Sequence, residues 1–101
     1  MTVENLTEKD FDKKIKDIAI IKLTASWCAP CKYLAPIYKE LSNEIKLPFY
    51  EVDVDSEPKL AQRFQVMSVP TTIILKNGKE ILRINGALPK EEFKKRLLSK
   101  L

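Results

Sequence analysis

The sequence predicts an α/β sandwich, a mixed β-sheet with helices on both faces. Three observations predict it. Apolar runs rich in β-branched residues alternate with segments whose apolar residues recur at helical spacing. A helical segment joins the first two strand-like runs, which makes that pair parallel with a right-handed crossover. Asn77-Gly78 joins the last two, the strongest short-range sign of an antiparallel hairpin.

Each element has its own local reason. Thr7 to about Lys16 reads as a helix, with Thr7 as N-cap, Asp10 at the capping-box position, and Phe11 and Ile15 one turn apart. Ile18 to Ala25 reads as a buried strand. Cys28 to about Lys46 is a long helix in which Leu34, Ile37, Tyr38, Leu41 and Ile45 share a face, with a kink expected at Pro36. Phe49 to Val54 is a second strand, and Ser56 is placed to cap a short helix carrying Leu60, Ala61 and Phe64 on one side. Thr71 to Lys76 and Lys79 to Ile84 form the hairpin strands. Pro89 opens a last helix with Phe93, Leu97 and Leu101 at spacing four.

Composition narrows the function. With 101 residues and 45% apolar content the chain suits one globular domain. It has no histidine, which removes Cys–His and Ser–His catalysis and histidine metal sites. The net charge of +4 raises nucleic acid as a partner. The lysines, however, are interleaved with Glu and Asp, so a solvated helix face accounts for them and no nucleic-acid partner is expected. No apolar run approaches the roughly 20 residues that span a bilayer, and Met1 to Asp10 carries acidic residues where a secretory leader would be basic. A cytoplasmic protein without membrane attachment is the expectation.

The chemistry concentrates in Ser26-Trp27-Cys28-Ala29-Pro30-Cys31-Lys32, between a buried strand and a long helix. A C-x-x-C in this setting reads as a redox motif. The first helical turn offers unpaired N–H groups and the positive end of the helix dipole, and both lower the pKa of a thiol at Cys28. Cys31 lies one turn on, within disulfide reach. Pro30 costs no hydrogen bond there, because its N–H would be unpaired anyway. A structural disulfide, a zinc site and a pair of inert thiols are the alternatives. The first adds little chain constraint across so short a separation, and the second lacks its remaining ligands.

Trp27-Cys28-Ala29-Pro30-Cys31-Lys32, Pro36 eight residues past Cys28, and Val69-Pro70-Thr71 together resemble the thioredoxin family in order and spacing, from about Leu6 to Leu101. Gly86 before the last helix fits too. The resemblance implies a thioredoxin-like three-layer sandwich, a single domain over 1–101, and thiol–disulfide oxidoreductase activity. Cys28 would be the nucleophile and Cys31 the resolving thiol. Pro70 would be cis, a form accessible to X-Pro bonds. The backbone of Val69 would pair with an extended substrate segment. Trp27, Ala29, Pro30, Val69 and Ala87 would form an apolar rim around Cys28, with Pro70 and Gly86 beside it. No cofactor beyond the redox-active Cys28–Cys31 disulfide is expected. The implied partners are disulfide-containing proteins and a thioredoxin reductase, flavin- and NADPH-dependent, and a monomer is expected.

Four positions depart from the family pattern. The family's buried Asp, six residues before the first cysteine, is Lys22 here, and its partner lysine on the neighbouring strand is Glu51. The charges are exchanged, so Glu51 is the candidate proton acceptor for Cys31 and Lys22 its counter-charge, with a purely structural pair as the alternative. Ala29 stands where the family usually has Gly, and Thr24 where it often has a second Trp. Pro30 in place of a histidine favours a reductant, because a cation beside the thiolate would make a stronger oxidant. The remaining alternatives are a dedicated redox partner, an oxidant or isomerase of one pathway, and a non-catalytic binding module.

Overall fold

The computed structural model describes residues 3–101. Met1 and Thr2, which open the stretch read above as carrying no leader, lie outside the described residues. The elements run β1 (Val3–Asn5), α1 (Phe11–Lys14), β2 (Ile18–Thr24), α2 (Ala29–Glu44), β3 (Phe49–Asp53), α3 (Pro58–Arg63), β4 (Thr71–Lys76), β5 (Lys79–Asn85) and α4 (Lys90–Leu98). They build one five-stranded sheet in the order β1-β3-β2-β4-β5. β2 is central, parallel to β3 and antiparallel to β4.

Alternation along the central strands splits the core in two. Ile21, Leu23, Val52 and Ile73 point to the face that buries Leu6, Phe11 and Leu60. Ile20, Phe49 and Ile74 point to the other, against Leu34, Tyr38 and Leu41 of α2 and Phe93 and Leu97 of α4. A slip of one residue would exchange the two sets, so the pattern fixes the register. The second layer is also tied at its surface, where Lys90 bonds Glu40 and Glu44 at 2.7 and 2.6 Å and Lys94 bonds Glu44 at 2.9 Å.

The hairpin follows expectation: Asn77 and Gly78 have φ of 51° and 82°, the left-handed values a two-residue turn needs. Four expectations are corrected. The helix expected from Thr7 begins only at Phe11, although the capping pair is real. Thr7 N–H donates to Asp10 Oδ1 at 2.8 Å and Asp10 N–H to Thr7 Oγ1 at 3.3 Å, but the pair closes a turn ahead of the helix. Ser56 caps nothing. Glu57 holds the cap position without a side-chain capping bond, its carboxylate accepting the Glu8 N–H at 2.9 Å instead, and Pro58 enters the first turn, where a missing N–H is harmless. Leu101 lies beyond α4 and is 42% exposed, so the buried stripe stops at Leu97. β1 was not expected, because three residues including Glu4 give no readable alternation; it pairs in parallel with β3 at the sheet edge. α2 runs through Pro36 without interruption.

Candidate active site

The site grows from the C-terminal end of β2. Thr24 ends the strand, Ser26 and Trp27 turn outward, and Cys28 takes the N-cap of α2 with extended backbone, φ −97° and ψ 114°. Its sulfur accepts the Cys31 N–H at 3.2 Å, the task a Ser or Asp oxygen usually performs at a helix start. The two sulfurs are joined as a disulfide with Cα atoms 5.2 Å apart. Both cysteines are nearly buried, at 4% and 2% exposure, in a small cluster with Ala25 and Val69.

The strand antiparallel to β2 delivers the other half. Leu23 pairs with Thr71, so the segment entering β4 meets the segment leaving β2. The Val69–Pro70 peptide is cis, as the resemblance implied. The Val69 carbonyl oxygen lies 3.4 Å from Cys28 Sγ. Gly86, at φ 86°, donates its N–H to the Pro70 carbonyl at 2.8 Å and so holds the loop with Ala87 beside the proline. This φ is one that side-chain-bearing residues rarely adopt. Thus Trp27, Ala29, Pro30, Val69, Pro70 and Gly86 gather at one end of the sheet. Ala87 is half-buried and packs toward the α2–α4 core layer rather than onto the cysteines.

Trp27 is 68% exposed, and its indole N–H donates to Asp55 Oδ2 at 2.8 Å. Asp55 is held in turn by Asp53, whose Oδ1 accepts the N–H groups of Asp55 and Ser56 at 2.9 and 3.3 Å. Next to the indole an apolar cup of about 220 Å³ is lined by Val54, Ala61, Val66, Met67 and Val69. Met67 is 94% exposed at its lip. Sequence reading passed over both Asp55 and Met67. The available signals were that a surface indole N–H wants an acceptor, and that Met67 lies three residues before Pro70.

Lys22 and Glu51 meet as the exchanged charges required. They are register partners across β2 and β3 with Nζ 3.5 Å from Oε1. Lys22 is only 2% exposed, while the Glu51 side chain keeps 32%. Burial pushes the Lys22 ammonium below the ordinary lysine range, and the Glu51 carboxylate opposes that shift. The ammonium also sits 4.8 Å from the centre of the Tyr38 ring. Both residues line, together with Cys31, a cleft of about 370 Å³ behind the disulfide. On the other side of Lys22 its register partner is Thr72, whose buried hydroxyl has no hydrogen-bond partner among the described residues.

A paired C-x-x-C on a helix start thus faces a cis X-Pro at the head of an antiparallel strand. The family model "Thioredoxin" matches residues 2–99. The chain belongs to the thioredoxin family. Thioredoxin of Staphylococcus epidermidis is 36% identical over 96 residues, covering 92% of each chain. Thioredoxin of Staphylococcus aureus is 35% identical over the same share. The crystal structure of thioredoxin NaTrxh from Nicotiana alata superposes with a TM-score of 0.86 at 30% identity, over 97% of this chain and 91% of that one. Family and disulfide together make the chain a thiol–disulfide oxidoreductase whose activity is protein-disulfide reduction. Its partners are of the kinds that thioredoxins have, disulfide substrates and a thioredoxin reductase. Among the described residues no helix is long and apolar enough to cross a membrane, and no three His, Cys, Asp or Glu side chains group to hold a metal.

Proposed function

We propose that this thioredoxin is a general cytoplasmic reductant of protein disulfides, acting as a monomer and a single domain over 1–101. Cys28 attacks and Cys31 resolves. The observation that carries the assignment is the position of Cys28 Sγ, which accepts a first-turn N–H and abuts the Val69 carbonyl. In the reduced protein the Cys28 thiolate attacks a substrate disulfide. A Cys28–substrate S–S bond forms as the substrate S–S bond breaks, and the displaced sulfur leaves with the electron pair. Cys31 loses its proton to Glu51, with Lys22 as counter-charge, and its thiolate attacks Cys28. The Cys28–Cys31 bond forms, the second substrate sulfur leaves, and two electrons have passed to the substrate.

An extended substrate segment pairs with the Val69 backbone at the head of β4, with Pro70 and Gly86 shaping the loop and Trp27, Ala29 and Pro30 its apolar border. Backbone pairing tolerates varied sequences, which suits a general reductant. No bound cofactor takes part, and a flavin- and NADPH-dependent reductase restores the dithiol. The test is Cys31→Ser incubated with a disulfide protein. A covalent mixed disulfide through Cys28 should accumulate, and Cys28→Ser should give none. Trapping through position 31 in Cys28→Ser, with none in Cys31→Ser, would reverse the roles. Equilibration with glutathione sets the direction, and a potential well below that pool marks a reductant.

A further inference from the structure

Lys22 is the one charged residue among the fully described core, buried in the middle of the sheet. The exchange written above gives it no task beyond offsetting Glu51. Its surroundings point to another. One cleft places Lys22 with Cys31, Lys32, Glu51 and Asp53, and the adjoining one of about 410 Å³ adds Tyr38 and Lys39. From β4 the neighbour is the uncharged Thr72. Lys32 and Lys39 are exposed on α2 and Asp53 is half-exposed, so water screens them. The charge that the cleft withholds from water is therefore a single cation. Glu51, half-exposed, is the member able to pass a proton outward.

We propose that Lys22 is a positioning residue that holds whichever anion the resolving step creates. The proposal rests on Cys31 being the resolving thiol and Glu51 its proton acceptor. While Cys31 is a thiol, the ammonium pairs with the Glu51 carboxylate. When the Cys31 S–H bond breaks, the proton moves to Glu51 and the electron pair stays on sulfur. Glu51 is then neutral and the ammonium faces the thiolate instead. The charge of the trio is the same before and after, so no new charge is created in the cleft. The thiolate then attacks Cys28, and Glu51 gives its proton to water on its exposed side. A buried carboxylate at position 22 would oppose a thiolate at this point; a buried ammonium favours it.

The test titrates Cys31 as the sole thiol, in a Cys28→Ser background, by the pH dependence of its alkylation with iodoacetamide. Lys22→Met should raise the midpoint by about 1 pH unit or more, the usual reach of a nearby charge, and Lys22→Arg should restore it. Glu51→Gln leaves the cation without its carboxylate and should lower the midpoint. The double variant Lys22→Met with Glu51→Gln carries no unpaired charge and guards against misfolding. Its midpoint should lie above that of Glu51→Gln alone. Equal midpoints in those two, or no change in Lys22→Met, overturn the proposal. The acceptor role fails separately: a normal rate of mixed-disulfide resolution in full-length Glu51→Gln would remove Glu51 as acceptor and leave the Lys22 titration result standing.

Discussion

Tyr38→Phe isolates one atom at the centre of the molecule. The Tyr38 hydroxyl is fully buried and lies 2.6 Å from the Tyr50 carbonyl and 3.0 Å from that of Ile20. It thereby ties α2 to β2 and β3 together. The ring makes tilted contact with Phe49 at 5.1 Å and edge contact with Phe93 at 6.5 Å. Phe keeps the ring, so the packing stays and only the O–H bond is lost. Each carbonyl has a second lone pair for other donors, which places the cost near a single hydrogen bond, about 1 kcal/mol, rather than a full desolvation penalty. With a slope of about 1 kcal/mol/M for a small domain, the urea midpoint should fall by about 1 M. The thermal midpoint should fall by about 4–8 °C. The assay is far-UV circular dichroism against urea, with the disulfide intact in both proteins. Tyr38→Leu is the comparison, since it also removes the ring face beneath the Lys22 ammonium and opens a cavity. An unmoved midpoint in Tyr38→Phe would mean that the hydroxyl contributes nothing to holding α2 on the sheet.

Three further outcomes are expected. Thr72→Val replaces a buried, unpartnered hydroxyl by a methyl of the same shape and should stabilise the fold by about 1 kcal/mol in thermal melts; a loss of stability would show that the hydroxyl is bonded. Hydrogen bonds from Lys90 and then Lys94 hold the Glu44 carboxyl below the ordinary glutamate range. Its folded pKa is depressed, so its contribution is present above the unfolded value and lost as pH falls through the folded one. Glu44→Gln should therefore melt below the parent at neutral pH and merge with it in strong acid, and a gap constant across pH would contradict the pairing. Met67→Asp places a charge on the lip of the apolar cup beside Trp27. It should lower kcat/KM for protein disulfides by about tenfold, mainly through KM, while reduction of a small disulfide reagent stays near the parent rate.

Much of this molecule is legible in its residues, for reasons that differ from element to element. The redox centre was readable because Cys28 and Cys31 lie one helical turn apart at a strand-to-helix junction, where Pro30 costs no hydrogen bond. β2 and β4 were readable because both faces of a central strand are buried, which yields mainly apolar, β-branched runs, interrupted in β2 by Lys22. The Lys22–Glu51 pairing was readable because the two residues fall on the family's paired positions with their charges exchanged. What was not legible depends on contacts distant in sequence. β1 exists only because β3 offers it an edge. Leu101 continues the apolar spacing of α4, but the core ends before reaching it. Ser56 and Glu57 compete for one cap, and the choice falls to the backbone turn that Asp53 organises. Asp55 and Met67 belong to the rim only through folding, since Trp27 lies far away in sequence.

The antiparallel pairing of β2 with β4 has one more consequence. Because the two strands run oppositely, the cysteine loop and the proline loop leave the same end of the sheet. At the other end lie the Asn77-Gly78 turn and Asp17, joined by an Asn77 N–H bond to the Asp17 carbonyl at 2.6 Å. About six residues of strand, roughly 20 Å, separate the two ends. The molecule thus has a working pole and a silent one. A segment inserted at the Asn77-Gly78 turn should therefore leave the rate of protein-disulfide reduction near that of the parent.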